Sequence, residues 1–405
     1  MRSDREPPSG ARILVLSFSD LALDPRVNRQ LRFLSPSYHV TAAGWADPGL
    51  AGVDFISVRG ARRPFFLRVM LGVPRRIRAA FELVIRQYRA HYWKRPEVRY
   101  CLDRLRAQDI KYDLVVANDI DCLPVALAIA GSAPVIYDAH EFAPGQFEDR
   151  ATFRLFQQAY RSWLCVEFMP AARIVTTVSS SIAGAYFQMI GTRPTVIWSA
   201  PDFEELTPSL STSESIRLVH HGMAGRSRQI ERMIRMMRWL DRRFELNLVL
   251  VGDDKRYIQR LRREARGVPG IRFLPPVPMR GLPRFLNQFD VGLCMLPDSN
   301  RNLRWALPNK FFEFVQARLA LAVSPTAEIV RLVREHDLGV VGEDFEPEAM
   351  AKQLMALDPA RIAHFKRRAH GAAFALSAEP QREHLLGLVA SLLRPTSGGS
   401  VCPAS

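Results

Sequence analysis

The sequence predicts an α/β protein with two doubly wound, Rossmann-like domains that face a central cleft, followed by a C-terminal helix. Three observations support this fold class: short apolar runs alternate with helix-length segments, the alternation stops at a polar linker, and it then starts again. Continuous apolar strands between helices are typical of parallel sheets covered on both faces. A length of 405 residues with 48% hydrophobic content suits two domains and excludes a disordered chain.

The first domain is predicted over residues 11–201 and the second over 216–378, joined by a linker at 202–215 that is rich in Ser, Pro and Glu. The strands predicted in the first domain are 12–18, 39–45, 112–119, 133–141, 172–179 and 195–201. Those predicted in the second are 216–222, 246–254, 270–277, 289–296 and 319–324. A final helix is predicted over 379–394. The polar ends, 1–10 and 395–405, are predicted to be disordered.

Basic residues are concentrated in one segment of the chain. The formal charge is +15, and the segment 59–111 holds fifteen Lys/Arg against four acids. Apolar and aromatic residues are interleaved there, which predicts a basic amphipathic helix from Pro74 to about Tyr92. Such a helix suits an anionic membrane surface. The alternative is that its apolar side faces the domain core and its arginines are solvated. No specific nucleic acid is expected, because a basic patch without a recognition motif is weak evidence.

The chain carries no sign of export or membrane insertion. Its first ten residues lack an apolar stretch, and no apolar run approaches the ~18 residues that span a bilayer. The five cysteines are widely spaced, which does not indicate a disulfide framework. We therefore expect a cytoplasmic protein, with peripheral attachment to the cytoplasmic face of the membrane as a further expectation.

The segment Leu307–Ser324 contains the first candidate site residues. A helix is predicted to begin near Pro308, which places Lys310 and Glu313 three residues apart on one face. A lysine and helix N–H groups hold phosphate, and a carboxylate one turn deeper accepts hydrogen bonds from ribose hydroxyls. The alternative is a surface Lys–Glu pair, which is the commoner meaning of this spacing.

A strand, loop and helix at 218–234 carry the second candidate site. Gly222 and Gly225 let backbone approach a ligand's phosphates, and Arg226 and Arg228 neutralise their charge. The alternative is that these glycines serve only the turn. The segment lies in the same predicted domain as Lys310 and Glu313.

Several segments together resemble a known family. They are 17–34 (SFSDLALDPRVNRQLRFL), 113–130 (DLVVANDIDCLPVALAIA), 135–142 (VIYDAHEF), 175–187 (VTTVSSSIAGAYF), the HHG loop at 220–222, 248–254 (LVLVGDD) and 307–324. The chain resembles GT-B-fold glycosyltransferases of the large family 4-like group. The resemblance implies transfer of a sugar from a UDP- or GDP-sugar, held by the second domain, to a glycan or lipid-linked acceptor on the first. It also implies a retaining reaction of the hexosyltransferase type, in polysaccharide or glycolipid biosynthesis.

The resemblance assigns roles to individual residues. It implies catalytic roles for His140, Lys310 and Glu313, with Glu313 on the donor ribose and His140 on the donor sugar or its phosphate. The donor-binding set is Gly222, Gly225, Arg226, Arg228, Asn309, Lys310 and Glu313, and the acceptor-side set is Asp24, Arg26, Asp119 and Glu141. Two positions depart from the family: Trp305 occupies the place of its first acid, and Ser199 that of an Asn at the domain crossover. The alternatives are a capping or core role for His140 and a structural ion pair for Asp24 and Arg26.

Asp119–Ile120–Asp121 has the DxD pattern that other glycosyltransferases use to bind a divalent ion. It lies in the first domain, away from the donor residues, so we treat it as a coincidence. Arginine, lysine and a helix dipole neutralise a diphosphate without metal. We therefore expect no metal and no other cofactor.

Two other functions remain open at this stage. A non-hydrolysing nucleotide-sugar epimerase shares the two-domain architecture and binds the same donor, but needs no acceptor. A catalytically inactive GT-B-like binding protein is the other, because Trp305 stands at the acid position. If the reaction inverted the anomer, His140 or Asp119 would serve as general base.

Overall fold

The computed structural model describes residues 10–60, 81–209, 215–252 and 254–394. The first domain is built on a seven-stranded sheet with the order β3-β2-β1-β4-β5-β6-β7, and every pair is parallel. The strands are β1 (Arg12–Leu16), β2 (His39–Gly44), β3 (Val53–Ser57), β4 (Leu114–Asn118), β5 (Val135–Ala139), β6 (Ile174–Thr177) and β7 (Thr195–Val196). The strand order reverses at β1, and ligands of doubly wound sheets bind beyond the strand carboxyl ends at such a point.

Helices cover both faces of this sheet. Those of the first domain that lie wholly within the described residues are α1 (Pro25–Leu34), α2 (Tyr88–Lys94), α3 (Pro96–Arg106), α4 (Leu123–Ala130), α5 (Ala151–Phe156), α6 (Gln158–Phe168) and α7 (Ser180–Ile190). The start of α1 is well defined because Asp24 accepts hydrogen bonds from the backbone N–H groups of Arg26 and Val27, and Pro25 needs no donor partner. This cap fixes the loop between β1 and α1 at the edge of the cleft.

The second domain has a six-stranded, all-parallel sheet with the order β10-β9-β8-β11-β12-β13. The strands are β8 (Ile216–Met223), β9 (Phe244–Val251), β10 (Ile271–Leu274), β11 (Val291–Cys294), β12 (Ala320–Val323) and β13 (Gly339–Val341). The helices are α8 (Glu231–Met236), α9 (Lys255–Glu264), α10 (Leu282–Leu286), α11 (Arg301–Arg304), α12 (Asn309–Gln316), α13 (Ala327–His336), α14 (Pro347–Met355) and α15 (Pro359–Ala372). Two parallel sheets covered by helices confirm the predicted fold class.

All eleven predicted strands are present, and two further strands, β3 and β13, were not predicted. Strand β3 reads VDFIS with mostly half-exposed residues, because it lies at the sheet edge. Strand β13 has only three residues and begins with Gly339, whose added Cβ would meet the Leu321 carbonyl oxygen at 1.9 Å. Neither strand has the continuous apolar run that identified the others.

The predicted helix from Pro74 to about Tyr92 lies partly outside the described residues. In the described remainder, a continuous helix is wrong: Arg86 has φ +57° and α2 begins only at Tyr88. Tyr92 is fully buried in the first domain's core, as the alternative interpretation required, whereas Phe81 and Val84 are exposed. Within the described parts of the chain, no helix is both long enough and apolar enough to cross a bilayer.

The chain crosses between the domains twice. Its last helix, α16 (Ala378–Leu393), follows the second domain but packs on the first, where Leu385 and Val389 join the core around Ile13 and Val15. The linker starts beside the first domain, where Asp202 pairs with Arg32, and reaches the second domain by Ser209, whose Oγ accepts from Lys366 Nζ at 2.8 Å. The two domains are therefore joined by two segments of chain.

Candidate active site

A cavity of about 360 Å³ lies between the two domains, beyond the carboxyl ends of their strands. Both domains line it. The first domain contributes Asp24, Arg26, His140, Glu141, Gln146, Arg150 and Ser199, among others, and the second contributes Ser227, Arg228, Asn300, Asn302, Pro308 and Asn309. This placement brings together three of the four predicted acceptor-side residues, all but Asp119, and two members of the predicted donor-binding set, Arg228 and Asn309.

His140 follows β5 directly, so the end of that strand aims it into the cleft. Its Nε2 lies 2.9 Å from Asn118 Oδ1 and 3.3 Å from Asp138 Oδ2, and its Nδ1 lies 3.6 Å from Asp119 Oδ1. Burial alone would lower the pKa of His140, but Asp119 and Asp138 raise it to about 9. The ring is therefore a cation at neutral pH and suits contact with an anion.

Arg26 is held by Asp138 in a buried bidentate pair. Its Nε and Nη2 donate to the two carboxylate oxygens, each at 2.6 Å, and its Nη1 donates to the Ile197 carbonyl at 3.0 Å. Thr176 and Gln30 also donate to this carboxylate. Burial would raise the pKa of Asp138, but Arg26 and His140 hold it far below its usual range. Arg26 is thus in a structural ion pair, as the alternative proposed, but with Asp138 rather than Asp24.

Asp24 lines the cavity while capping α1, and it accepts a further hydrogen bond from Ser19 Oγ at 2.8 Å. Ser199, at the domain crossover, also lines the cavity, and its Oγ accepts from Arg29 Nη1 at 3.2 Å. Both side chains shape the first-domain wall and have partners within their own domain.

Glu141 lies beside His140 and faces the second domain. Its Oε2 accepts from Asn302 Nδ2 at 3.3 Å, and Gln146 donates to its other oxygen. Burial and the nearby Asp119 raise the pKa of Glu141 to about 7, against an opposing attraction to cations that include Arg228. This carboxyl is therefore poised to gain or lose a proton near neutral pH.

The two aspartates of the DxD pattern have different surroundings. Asp119 has φ +65°, a left-handed backbone conformation at the end of β4, and lies next to His140. Asp121 is paired with Arg95 and, at 3.4 Å, with Arg161. Two guanidinium groups already neutralise Asp121, which disfavours a divalent cation there. Among the described residues, no group of three or more His, Cys, Asp or Glu side chains is suited to hold a metal. Metal independence stays a prediction.

Lys310 and Glu313 lie on α12, next to the cavity but outside its lining. Lys310 Nζ is 3.3 Å from His220 Nε2, and Glu313 Oε2 is 3.2 Å from His221 Nε2. Desolvation lowers the pKa of Lys310 to about 8 and raises that of Glu313 to about 7. Glu313 is only 5% exposed, so a surface Lys–Glu pair is wrong. Lys310 reaches Gly222, where a Cβ would lie 3.5 Å from Nζ and φ is +124°.

Arg226 and Arg228 share one short 3₁₀ turn but point to different places. Arg228 lines the cavity, and burial lowers its pKa. The Arg226 side chain is 61% exposed, and its Nε lies 3.2 Å from Asp254 Oδ2. Gly225 begins the turn and does not line the cavity. Of the two arginines, only Arg228 lines the cavity, and its donor-binding role stays a prediction.

A segment that sequence reasoning missed spans the cleft at residues 300–305. The Phe142 backbone N–H donates to Asn302 Oδ1 at 2.8 Å, and Asn302 Nδ2 donates back to the Phe142 carbonyl at 3.1 Å. Arg301 donates from its backbone N–H and its Nε to Glu148, at 2.6 and 2.7 Å. The Trp305 ring packs on Phe142 at 5.5 Å. Trp305 therefore contacts the opposite domain, and its aromatic nature was the one available signal.

These two sheets and their shared cleft define the GT-B fold of glycosyltransferases. Sucrose-phosphate synthase from Thermosynechococcus elongatus superposes with a TM-score of 0.73 at 14% identity, covering 94% of this chain and 99% of that one. The Anabaena protein HepE, in complex with UDP and glucose, gives 0.65 at 15% identity, covering 94% and 100%. A UDP-forming α,α-trehalose-phosphate synthase from Burkholderia vietnamiensis gives 0.66 at 15%, covering 94% and 100%.

The sequence of the second domain also matches a family of glycosyltransferases. Residues 216–357 match the family model described as Glycosyl transferases group 1. The family match over the second domain and the GT-B fold of the whole chain confirm the resemblance found in the sequence, and together they indicate a glycosyltransferase. No curated protein matches the chain.

Proposed function

We propose that the protein transfers a sugar from a UDP- or GDP-sugar, held by the second domain, to a hydroxyl of a glycan or lipid-linked acceptor held by the first. The observation that carries this proposal is the shared cavity, where His140 of one domain faces Arg228 and Asn309 of the other. A cationic ring, a guanidinium and a helix N-terminus around one cleft suit a diphosphate. HepE was solved with UDP and glucose, which makes UDP the first nucleotide to test.

The chemistry assigned to these groups is stabilisation of the leaving group. Negative charge builds on the departing nucleoside diphosphate, and Arg228, Lys310 and the first N–H groups of α12 stabilise it without a metal. Electrostatic groups preorganised in a cleft are the largest single contribution in many enzymes. His140 adds a hydrogen bond to the donor sugar or its phosphate. The role of Glu313 on the donor ribose rests on the family resemblance.

The proposed reaction retains the anomeric configuration. The acceptor hydroxyl attacks the face from which the diphosphate leaves, so no enzymic nucleophile is needed. The departing phosphate accepts the acceptor's proton. Analysis of the product anomer by NMR tests this proposal, and an inverted product contradicts it. In that case Asp119, next to His140, becomes the general-base candidate.

The acceptor is proposed to be lipid-linked, at the cytoplasmic face of a membrane, in polysaccharide or glycolipid assembly. The basic segment 59–111 supports this, and its described part exposes Phe81, Val84 and Ile85. Co-sedimentation with vesicles containing anionic phosphatidylglycerol tests it. Replacing Arg75, Arg76 and Arg78 by Gln is expected to weaken that binding, and unchanged sedimentation contradicts the proposal.

The first experiment is calorimetric titration with UDP, GDP and ADP in the presence of EDTA. We expect one diphosphate to bind and Arg228→Ala, Lys310→Ala and Glu313→Ala each to weaken it, the two cation losses by roughly 10–100-fold. Arg226→Ala is the matched control. It removes the same charge from the same turn outside the cavity, and should change affinity less than about twofold.

The alternatives give different results in the same assays. An epimerase converts a nucleotide sugar with no acceptor present, whereas the transferase requires one. An inactive binding protein shows neither transfer nor donor hydrolysis. If no nucleotide binds, even with Mg²⁺ or Mn²⁺ restored, the transferase proposal is wrong for this cleft.

A further inference from the structure

Two adjacent histidines, His220 and His221, end the buried part of β8, and the proposed chemistry uses neither. His220 is 2% exposed and His221 is 6% exposed. His220 Nδ1 lies 2.9 Å from the Leu293 carbonyl oxygen on the neighbouring strand. A carbonyl only accepts, so Nδ1 carries the proton and donates. In the neutral ring Nε2 is then left with a lone pair.

That lone pair faces Lys310. The distance from Lys310 Nζ to His220 Nε2 is 3.3 Å. An ammonium group only donates, so it requires an acceptor, which the Nδ1–H tautomer supplies. A protonated His220 would place two donors and two cations against each other in a buried site. The contacts on both sides of the ring therefore select one neutral tautomer.

The charges around this pair favour the same state. Desolvation and the positive charge of Lys310 lower the pKa of His220 well below its ordinary value, and Arg228 acts in the same direction. Around Lys310 itself, desolvation and then Arg228 oppose the ammonium form, and the carboxylate of Glu313 favours it. His220 is thus a neutral acceptor in a site that otherwise disfavours the lysine's charge.

We propose that His220 is a positioning residue, which accepts a hydrogen bond at Nε2 and so holds the Lys310 ammonium beside the donor diphosphate. The role of Lys310 rests on the proposed function, but its contact with His220 does not. His221 differs because its Nε2 faces Glu313, at 3.2 Å, instead of the lysine. It is the natural control.

The tautomer is tested first, because it needs no nucleotide. The ¹⁵N chemical shifts of the imidazole rings are measured by NMR on the whole protein. They should show that Nδ1 of His220 is protonated and Nε2 is unprotonated from pH 5.5 to 8. The pKa of Lys310, followed by its ¹³Cε shift, should fall by about one unit in His220→Leu. It should stay unchanged in His221→Asn. An Nε2–H tautomer, or an unchanged Lys310 pKa in His220→Leu, overturns the proposal.

Nucleotide binding then tests the consequence for the site. At pH 8, His220→Leu should lower the affinity for the diphosphate that binds wild type by about tenfold. When Lys310→Ala is already present, adding His220→Leu should lower the affinity no further. His220→Gln places an acceptor near the position of Nε2 and should restore most of the affinity, whereas the shorter His220→Asn should not. Equal losses with and without Lys310 would indicate a merely structural histidine. Absence of any nucleotide binding to wild type would contradict the proposed function and leave the tautomer result standing.

Discussion

The two walls of the cleft hold charge in opposite ways. On the first-domain wall, Asp138 binds Arg26 through two short hydrogen bonds, and His140 is kept cationic by Asp138 and Asp119. Directly behind the second-domain wall, Lys310 and Glu313 each face a neutral histidine, and desolvation moves the pKa of both toward neutrality.

This difference shows how the two walls are preorganised. On the first-domain wall, the charges of Arg26, Asp138 and His140 are held in ion pairs that exist before any ligand arrives. The second-domain wall has donors and acceptors in place, but its charge depends on what binds, because a nearby anion favours the ammonium form of Lys310. The ion pairs of the first wall therefore contribute mainly to the stability of the fold. The groups at the second wall change their protonation state when a ligand binds.

The largest expected effect is on the first wall, from Asp138→Asn. This change leaves the buried Arg26 without its counter-charge, and breaking a buried pair in this way costs about 3–5 kcal/mol. Denaturant unfolding measures the loss. Asp202→Asn is the control, because its pair with Arg32 is about half exposed and should contribute less than about 1 kcal/mol. Equal losses in the two variants would remove the distinction between the walls.

The second prediction concerns pH and His140. Its pKa is raised from 6.5 to about 9 in the folded protein, so its stabilising contribution is complete below pH 6.5 and is lost as pH rises through 9. The unfolding free energy of wild type minus that of His140→Asn should fall over this window by up to about 3 kcal/mol. A difference that stays constant from pH 6 to 9 would show that His140 is not a cation.

The smallest expected effect is proton uptake by Lys310, at the second-domain wall, when a diphosphate binds. Lys310 has a pKa of about 8, so roughly half the molecules lack its proton at pH 8. Diphosphate binding at that pH should take up about half a proton, seen as a dependence of the calorimetric heat on buffer ionisation enthalpy. Lys310→Ala should abolish most of this uptake, and Arg226→Ala should preserve it.

Much of the fold was predictable because buried parallel strands leave a continuous apolar pattern. Edge strand β3 lacks that pattern, so it was missed. His140 and Glu141 directly follow β5, and Arg228 comes shortly after β8. Such positions can be found from sequence because strand carboxyl ends meet at the cleft. The side chains of Arg226 and Arg228 leave the short 3₁₀ turn in different directions, and the spacing of the two residues in sequence does not predict this.

The contacts between the domains were the least predictable part of the site. Asn302 and Phe142 are 160 residues apart, and their pairing depends on how the two sheets face each other. Trp305 illustrates the same limit. The sequence shows that a tryptophan replaces the family's carboxylate, but it does not show that this tryptophan packs on Phe142. Likewise, Asp138 had no predicted role, because an aspartate near the end of a strand gives no sign in the sequence that it forms a buried ion pair.

The return of α16 to the first domain has a consequence for biosynthesis. The β-sheet face that Leu385 and Val389 cover belongs to a domain whose own strands end at Val196. Translation proceeds at roughly 5–20 residues per second, so this face stays uncovered for on the order of 10–35 s while the second domain is synthesised. The nascent first domain therefore exposes an apolar surface throughout this interval, and truncated chains ending before Ala378 should engage chaperones or aggregate.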